Sequence, residues 1–312
     1  MRHQEYLNEH LDDLSGQVIA ITGANSGIGY EAARMLAYKG ATIVMACRNL
    51  VKAEEAKSKI IAEIPAAKLD IIHYDQSLFK AIDEFIAVLK SRYKRIHALV
   101  CNAGIYLPHK EEEMAPGLKL TLGTNFVGLY YLLRQITPYL DQPGFPTRVV
   151  MVTSLSAYHQ SNRSWADLLH RRQSLFYQYA NSKLAINQLF HVLSNGMNLF
   201  DFQDRKNVSY FLMHPGVTMT NIIHNFPRWF QRLAQMVMNF LFHHSDTAAL
   251  SIVLLAGSRH VFNGSYLVPT GPFEISGKPY KRKFPKRMVK GSGQFIYDVG
   301  HYVKDLVGKI RQ

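Results

Sequence analysis

The chain has 312 residues, with 36 Lys and Arg against 23 Asp and Glu, and a formal net charge of +13. Its 47% hydrophobic and 19% charged content suffices for a sizeable core and excludes a disordered or collagen-like chain. Ten basic residues against two acidic ones from Lys278 onward carry eight of the thirteen charges. The body is therefore only mildly basic, and no finger spacing, RNP-like motif or basic zipper points to nucleic acid.

The opening MRHQEYLNEHLDDLSG lacks the apolar stretch of a signal peptide, and no apolar run reaches the roughly 18 residues of a membrane span. Cys47 and Cys101 are too few for a disulfide framework and are not spaced as metal ligands, so no metal is expected. Asn162, Asn207 and Asn263 stand in Asn-x-Ser strings, read as chance matches without a secretory signal. These features predict a reducing, cytoplasmic compartment.

Short apolar runs alternate with longer segments of helical period. The runs Gln17–Thr22, Ala41–Ala46, Leu69–Tyr74, Ala98–Asn102, Arg148–Thr153 and Val208–Met213 predict strands buried on both faces. Between them, Gly27–Lys39, Val51–Ile64, Leu78–Tyr93, Leu118–Leu140 and Tyr177–Phe200 predict crossover helices. The pattern predicts an α/β, doubly wound parallel sheet, a Rossmann fold, whose ligands bind at the carboxyl ends of the strands. With no linker or repeat inside it, the reading is one domain over residues 1–277, followed by a basic tail over 278–312.

Thr22-Gly23-Ala24-Asn25-Ser26-Gly27-Ile28-Gly29 follows the first strand and opens a helix. Glycines let such a turn approach a pyrophosphate, which the helix N-terminus stabilises, so the loop predicts a dinucleotide site. An acid at the end of the second strand would bind the 2′-hydroxyl of NAD, but Cys47-Arg48 stands there. A guanidinium pairs with a 2′-phosphate in forked geometry, so Arg48 favours NADP over NAD. Further on, Tyr179-Ala180-Asn181-Ser182-Lys183 sets a phenol and an ammonium four residues apart on one helix face. Acid/base work near neutrality would need the phenol pKa lowered by roughly three units, which Lys183 and a positive nicotinamide ring have the correct sign to supply.

TGxxxGxG in this context resembles the short-chain dehydrogenase/reductase family, and the likeness extends over residues 14–270. Cys101-Asn102-Ala103-Gly104 is similar to that family's NNAG segment, and Asp75 matches its adenine-holding acid. The resemblance implies a catalytic tetrad of Asn125, Ser154, Tyr179 and Lys183, in which Ser154 holds the substrate carbonyl and Asn125 holds a water in a relay to Lys183. Ser156 is a nearby competitor for the serine role. His214-Pro215-Gly216-Val217-Thr218-Met219-Thr220 resembles the PGxxxT segment, implying nicotinamide contacts from Pro215, Gly216, Val217 and Thr220, while His214 reads as structural. The implied cofactor set is Gly23, Asn25, Ser26, Gly27, Ile28, Gly29, Arg48, Asp75, Asn102, Ala103 and Gly104, with Tyr179, Lys183 and the PGxxxT residues. A homo-oligomer is also implied.

Ser154 and Tyr179 stand twenty-five positions apart, a wider gap than is usual in the family, and Tyr158–Gln178 is read as roofing a substrate pocket. That gap, with ANSGIG, ACRN and HPG, resembles the retinol-dehydrogenase and WW-domain-containing-oxidoreductase branch. Phe126-Val127 before Gly128 departs from it, as does an opening without an apolar anchor. Phe226, Trp229, Phe230, Leu233, Val237, Phe240 and Leu241 form an apolar stripe that fits a lid over an apolar substrate or a surface helix packed on the core. The stretch KPYKRKFPKRMVK has seven basic residues in thirteen. It reads as a solvated tail or as peripheral membrane contact. Phe295, Val299, Tyr302, Leu306 and Ile310 then fit a dimerisation helix, a docked helix or a membrane-surface helix. The leading expectation is an NADP(H)-dependent oxidoreductase acting on an apolar alcohol or carbonyl of retinoid, steroid or long-chain aldehyde class. Its rival is a non-catalytic NADP-binding regulator.

Overall fold

The computed structural model describes residues 2–108, 110, 112–160, 163–170, 173–199, 202, 205–217 and 244–310. In chain order the strands are β1 Val18–Thr22, β2 Thr42–Cys47, β3 Lys68–His73, β4 Ala98–Cys101, β5 Glu113–Ala115, β6 Leu118–Lys119, β7 Thr147–Val152, β8 Val208–Met213, β9 Tyr266–Pro269 and β10 Pro279–Arg282. The helices are α1 Gln4–His10, α2 Gly27–Tyr38, α3 Leu50–Glu63, α4 Phe79–Arg92, α5 Gly128–Leu140, α6 Trp165–His170, α7 Leu175–Ser194, α8 Ser245–Gly257 and α9 Ser292–Ile310. A helical turn Leu120–Leu122 and a π-helical turn Gly123–Val127 lead into α5.

Eight strands form one sheet in the order β10-β9-β8-β7-β4-β1-β2-β3, with β5 and β6 in a separate hairpin. All neighbours in the large sheet are parallel except β9 and β10. The six anticipated strands lie within one residue of their expected limits. Two apolar layers cover the faces, one led by α4, α5, α7 and α9, the other by α1, α2, α3 and α8. The strand order reverses between β1 and β4, which puts the glycine turn and the Asn102–Gly104 segment on either side of the crevice that this topology opens.

The chain after Gly277 departs from the expected tail. Arg282 pairs opposite Tyr266 and Tyr280 opposite Val268, so β10 extends the sheet itself. Phe284 packs on Tyr266 and Phe190 at ring separations of 5.1 and 5.6 Å, and Met288 is buried beside Leu184. Phe295, Ile296, Val299, Val303 and Leu306 are buried in the core, which identifies α9 as the docked alternative. Residues 278–312 are therefore part of the folded unit where described. The stretch before α7 also serves this helix: Trp165 is buried against Phe126, Phe295 and Tyr302, with ring separations of 6.1, 6.0 and 5.1 Å. Trp165 and Leu168 thus fill the core instead of roofing a pocket, while Phe176 and Tyr177 are exposed. Thr220 and the apolar stripe 226–241 lie outside the described residues. Among those described, no helix is long and apolar enough to cross a membrane.

Phe295→Ala removes a ring from the junction of three elements and should cost about 3–5 kcal/mol of stability by urea unfolding. Truncation after Gly277 should prevent cooperative folding altogether; a truncated chain retaining the parent midpoint would contradict this packing.

Candidate active site

The glycine turn is fastened from both sides. Gly23 donates its N–H to Ala46 O at 2.8 Å, and the Cys47 thiol takes backbone hydrogen bonds from Ala24 and Asn25. From the other side, Asn102 Nδ2 donates to Thr22 O at 3.0 Å and Gly23 O at 3.3 Å. Thr22 Oγ1 accepts from the N–H groups of Asn102 and Ala103 at 3.0 and 2.9 Å. Only glycine fits at position 29, where a Cβ would meet Gly23 O at 2.4 Å and Asn102 Nδ2 at 2.5 Å. Ser26 caps α2 without a side-chain cap bond, and the first turn has no acid. Its N–H donors are therefore presented to an anion, as a dinucleotide requires.

Arg48 lies exposed just beyond β2, with no hydrogen bond or ion pair among the described residues. Asp75 follows β3, and its Oδ1 accepts from Ser77 N at 2.9 Å and Ser77 Oγ at 2.7 Å. One carboxylate oxygen thus caps a turn. Gln76 next to it is buried and was not anticipated: its Nε2 donates to Thr124 O at 2.7 Å and Ala103 O at 3.3 Å, and Tyr74 donates to its Oε1 at 2.9 Å. A π-turn frees backbone carbonyls from regular helical bonding, and Gln76 satisfies one of them.

Asn125 stands in that π-turn. Its Oδ1 accepts from Ile105 N at 2.7 Å, while its Nδ2 donates to Ile105 O at 2.9 Å and Ser182 Oγ at 3.1 Å. Together these bonds pin the segment following Gly104 to the helix that carries Lys183. Lys183 Nζ donates to Val152 O at 3.1 Å and lies 5.7 Å from the centre of the Tyr179 ring. A Cβ at Gly104 would lie 3.0 Å from Asn125 Oδ1 and 3.7 Å from Lys183 Nζ, so the cradle above Gly104 faces both groups. With one of its three donors committed, Lys183 has donors to offer a ligand there, and the donor set fits a nicotinamide dinucleotide.

Ser154 follows β7 and shares a side-chain hydrogen bond with Tyr179. Ser156, the competitor, donates to Ser154 Oγ through both N–H and hydroxyl, at 3.2 and 3.0 Å. Saturating the Ser154 acceptor in this way leaves its proton to be donated into the site. Tyr106, also unanticipated, sets its ring edge-on to Tyr179 at 4.6 Å. The structure thus brings Asn125, Ser154, Tyr179 and Lys183 to one place at the carboxyl edge of the sheet.

Electrostatics in the site run against the expected lowering. Burial pushes the Tyr179 phenol up to about 12, outweighing the opposing pull of its bond with Ser154. Burial also pushes Lys183 down to about 8. Desolvation disfavours each charged form, and spacing in the sequence contains no measure of it. Beyond β8, His214 is fully buried and reads as structural: Gly216 N donates to its Nδ1 at 3.1 Å, so Nε2 carries the proton and donates to Glu274 at 2.8 Å. Burial first, and then the charge of Arg282, push its pKa down to about 3, so the ring stays neutral.

Because Lys183 has a depressed folded-state pKa, its cost to stability is fully present below about pH 8 and is relieved as pH rises toward 10.5. The shift corresponds to about 3 kcal/mol, of which the bond to Val152 O returns about 1. Lys183→Met should therefore stabilise the protein by about 2 kcal/mol at pH 7 in denaturant unfolding, and the advantage should shrink as pH rises from about 8 toward 10.5. A pH-independent difference would contradict this account.

Residues 17–230 match the family model of short chain dehydrogenases. The chain is 34% identical over 216 residues to the WW domain-containing oxidoreductase of Pongo abelii, covering 68% of this chain and 51% of that protein. It is 34% identical over 212 residues to retinol dehydrogenase 12 of Homo sapiens, covering 67% and 64%. The chain thus spans between about half and two-thirds of the length of these relatives. A solved structure from Mycobacterium paratuberculosis superposes with a TM-score of 0.69 at 25% identity, covering 95% of this chain and 96% of that one. With the family model matched over most of its length and the glycine turn and Asn102–Gly104 segment facing one crevice of its sheet, the chain belongs to the short-chain dehydrogenase family.

Proposed function

We propose that this chain is an NADP(H)-dependent oxidoreductase acting on an apolar alcohol or carbonyl of retinoid, steroid or long-chain aldehyde class. The clustering of Asn125, Ser154, Tyr179 and Lys183 at the carboxyl edge of the sheet, with Asn125 and Lys183 facing Gly104, carries the reading. When bound, the nicotinamide supplies or accepts the hydride. Tyr179 Oη gives a proton to the substrate oxygen in reduction and takes it back in oxidation. Ser154 Oγ, its acceptor sites filled by Ser156, donates to that oxygen as charge develops. Lys183 anchors the cofactor ribose with its uncommitted donors and supplies positive charge beside the phenol. Asn125 holds the backbone at Ile105 and the start of a proton path toward Lys183.

Gly23, Asn25, Ser26, Gly27, Ile28 and Gly29 would cradle the pyrophosphate, with Asp75, Asn102, Ala103 and Gly104 along the adenosine and ribose side. Arg48 supports the NADP assignment because its guanidinium is exposed, uncommitted and adjacent to the turn held by Cys47. Pro215, Gly216 and Val217 would meet the nicotinamide. The relation to retinol dehydrogenase 12 and the apolar ring of Tyr106 beside Tyr179 favour an apolar substrate.

Consumption of NADPH and NADH against retinal, steroid ketones and long-chain aldehydes tests this directly. Tyr179→Phe should lower kcat by at least about a hundredfold while NADPH still binds. Arg48→Ala should raise the KM for NADPH by roughly ten- to a hundredfold and leave that for NADH nearly unchanged. Wild-type preference for NADH would overturn the NADP assignment, and tight NADPH binding without turnover would favour a regulator. Reduction should hold steady to about pH 7 and decline through about 8 as Lys183 loses its proton, because Tyr179 stays protonated up to about 12.

A further inference from the structure

The loop joining β9 to β10 closes on itself through Thr270 N to Lys278 O at 3.1 Å and Gly271 N to Ser276 O at 2.6 Å. At its tip Phe273 and Glu274 hold φ of 52° and 58°, left-handed values that side chains other than glycine avoid. Such backbone persists where surrounding contacts over-determine it. Here the contacts are polar and belong to Glu274. One carboxylate oxygen accepts from His214 Nε2 at 2.8 Å and the other pairs with Arg282 Nη1.

Both partners lead back to the active-site edge of the sheet. His214 accepts the N–H of Gly216, and Val217 donates to Ile275 O at 3.0 Å, so the turn after β8 is tied to this loop twice. The approach is close enough that a Cβ on Gly216 would meet Ile275 O at 2.2 Å. Arg282 also donates to Tyr158 Oη at 3.4 Å and lies 5.4 Å from the centre of its ring. Tyr158 shares a 2.8 Å hydrogen bond with Tyr266 and sets its ring edge-on to His214 at 5.8 Å. It lies in the short helical segment Leu155–His159 that begins immediately after Ser154. One carboxylate and one guanidinium therefore join the turn after β8 to the segment after β7, the two chain exits flanking the chemical end of the site.

We propose that Glu274 and Arg282 are positioning residues, holding the Pro215–Val217 turn through His214 and tying it through Tyr158 to the segment that carries Ser154. Arg282 belongs to the basic stretch whose composition suggested a tail, yet its role is internal. The effect on cofactor rests on the NADP reading; the effect on the turn does not.

The full-length protein with Glu274→Ala, Glu274→Gln and Arg282→Met tests the proposal by three measurements. In cofactor-free protein, hydrogen exchange at Gly216 and Val217 should accelerate at least tenfold in Glu274→Ala. Glu274→Gln keeps an oxygen for His214 Nε2–H and should retain most of that protection. Affinity for NADPH should weaken about tenfold in Glu274→Ala and Arg282→Met, whereas affinity for 2′,5′-ADP, which lacks the nicotinamide half, should stay unchanged. In turnover, kcat should fall along with the rise in KM for NADPH. Unchanged exchange at Gly216 and Val217 would overturn the proposal, as would equal losses for NADPH and 2′,5′-ADP. If wild-type protein binds neither nucleotide, the NADP reading fails while the exchange measurement still decides the positioning role; should Glu274→Ala not fold, Arg282→Met carries both the exchange and the nucleotide comparisons.

Discussion

Burial of the Lys183 ammonium is the constraint on which the site depends. Every residue from 180 to 190 on α7 is buried, three turns of helix with no face left to solvent. One side of α7 lies on the sheet, and the other is sealed by α9, Phe284 and Met288. Trp165 in turn holds α9 through Phe295 and Tyr302. Lys183 itself is enclosed between Val152 O and the cradle above Gly104, elements 31 and 79 positions before it along the chain. Asn125, caught between Ile105 and Ser182, then sets the distance between this sealed helix and the crevice at the end of β4.

The same enclosure explains why both titrating groups shift toward their neutral forms. A phenol raised to about 12 beside an ammonium lowered to about 8 is a pair whose proton is not displaced until other charge arrives. Spacing alone suggested that Lys183 would draw the phenol down, but it counts charge and omits the solvent removed around it. At neutral pH Tyr179 therefore rests as a proton donor.

Much of this was legible in the sequence where a feature is local. The six anticipated strands were readable as short apolar runs, five of them inside the parallel sheet and β3 at its edge. The glycine turn and the Tyr179–Lys183 pair were readable because each carries its geometry within a few residues. Helix α8 was not, since it is apolar all round and has no period. Strands β9 and β10 are four residues each and contain Pro269 and Pro279, which read as breakers. Gln76 and Glu274 are ordinary polar residues by type; Gln76 acts across 48 positions and Glu274 across 60, separations for which sequence pattern has no signal.

The basic end of the chain shows how composition can be correct and its reading still change. An edge strand exposes unpaired backbone groups, and lysines on such an edge discourage pairing with another chain. Lys281 stands on β10 and Lys283 just beyond it, both exposed at the rim of the sheet, the position where such charge disfavours edge pairing. Arg282 between them turns to Glu274 and Tyr158. Alternation along a strand sends neighbouring residues to opposite faces, so one short basic run can protect an open edge with some of its charges and brace two active-site loops with another. The same alternation makes the run look, as a string of letters, like an unstructured tail.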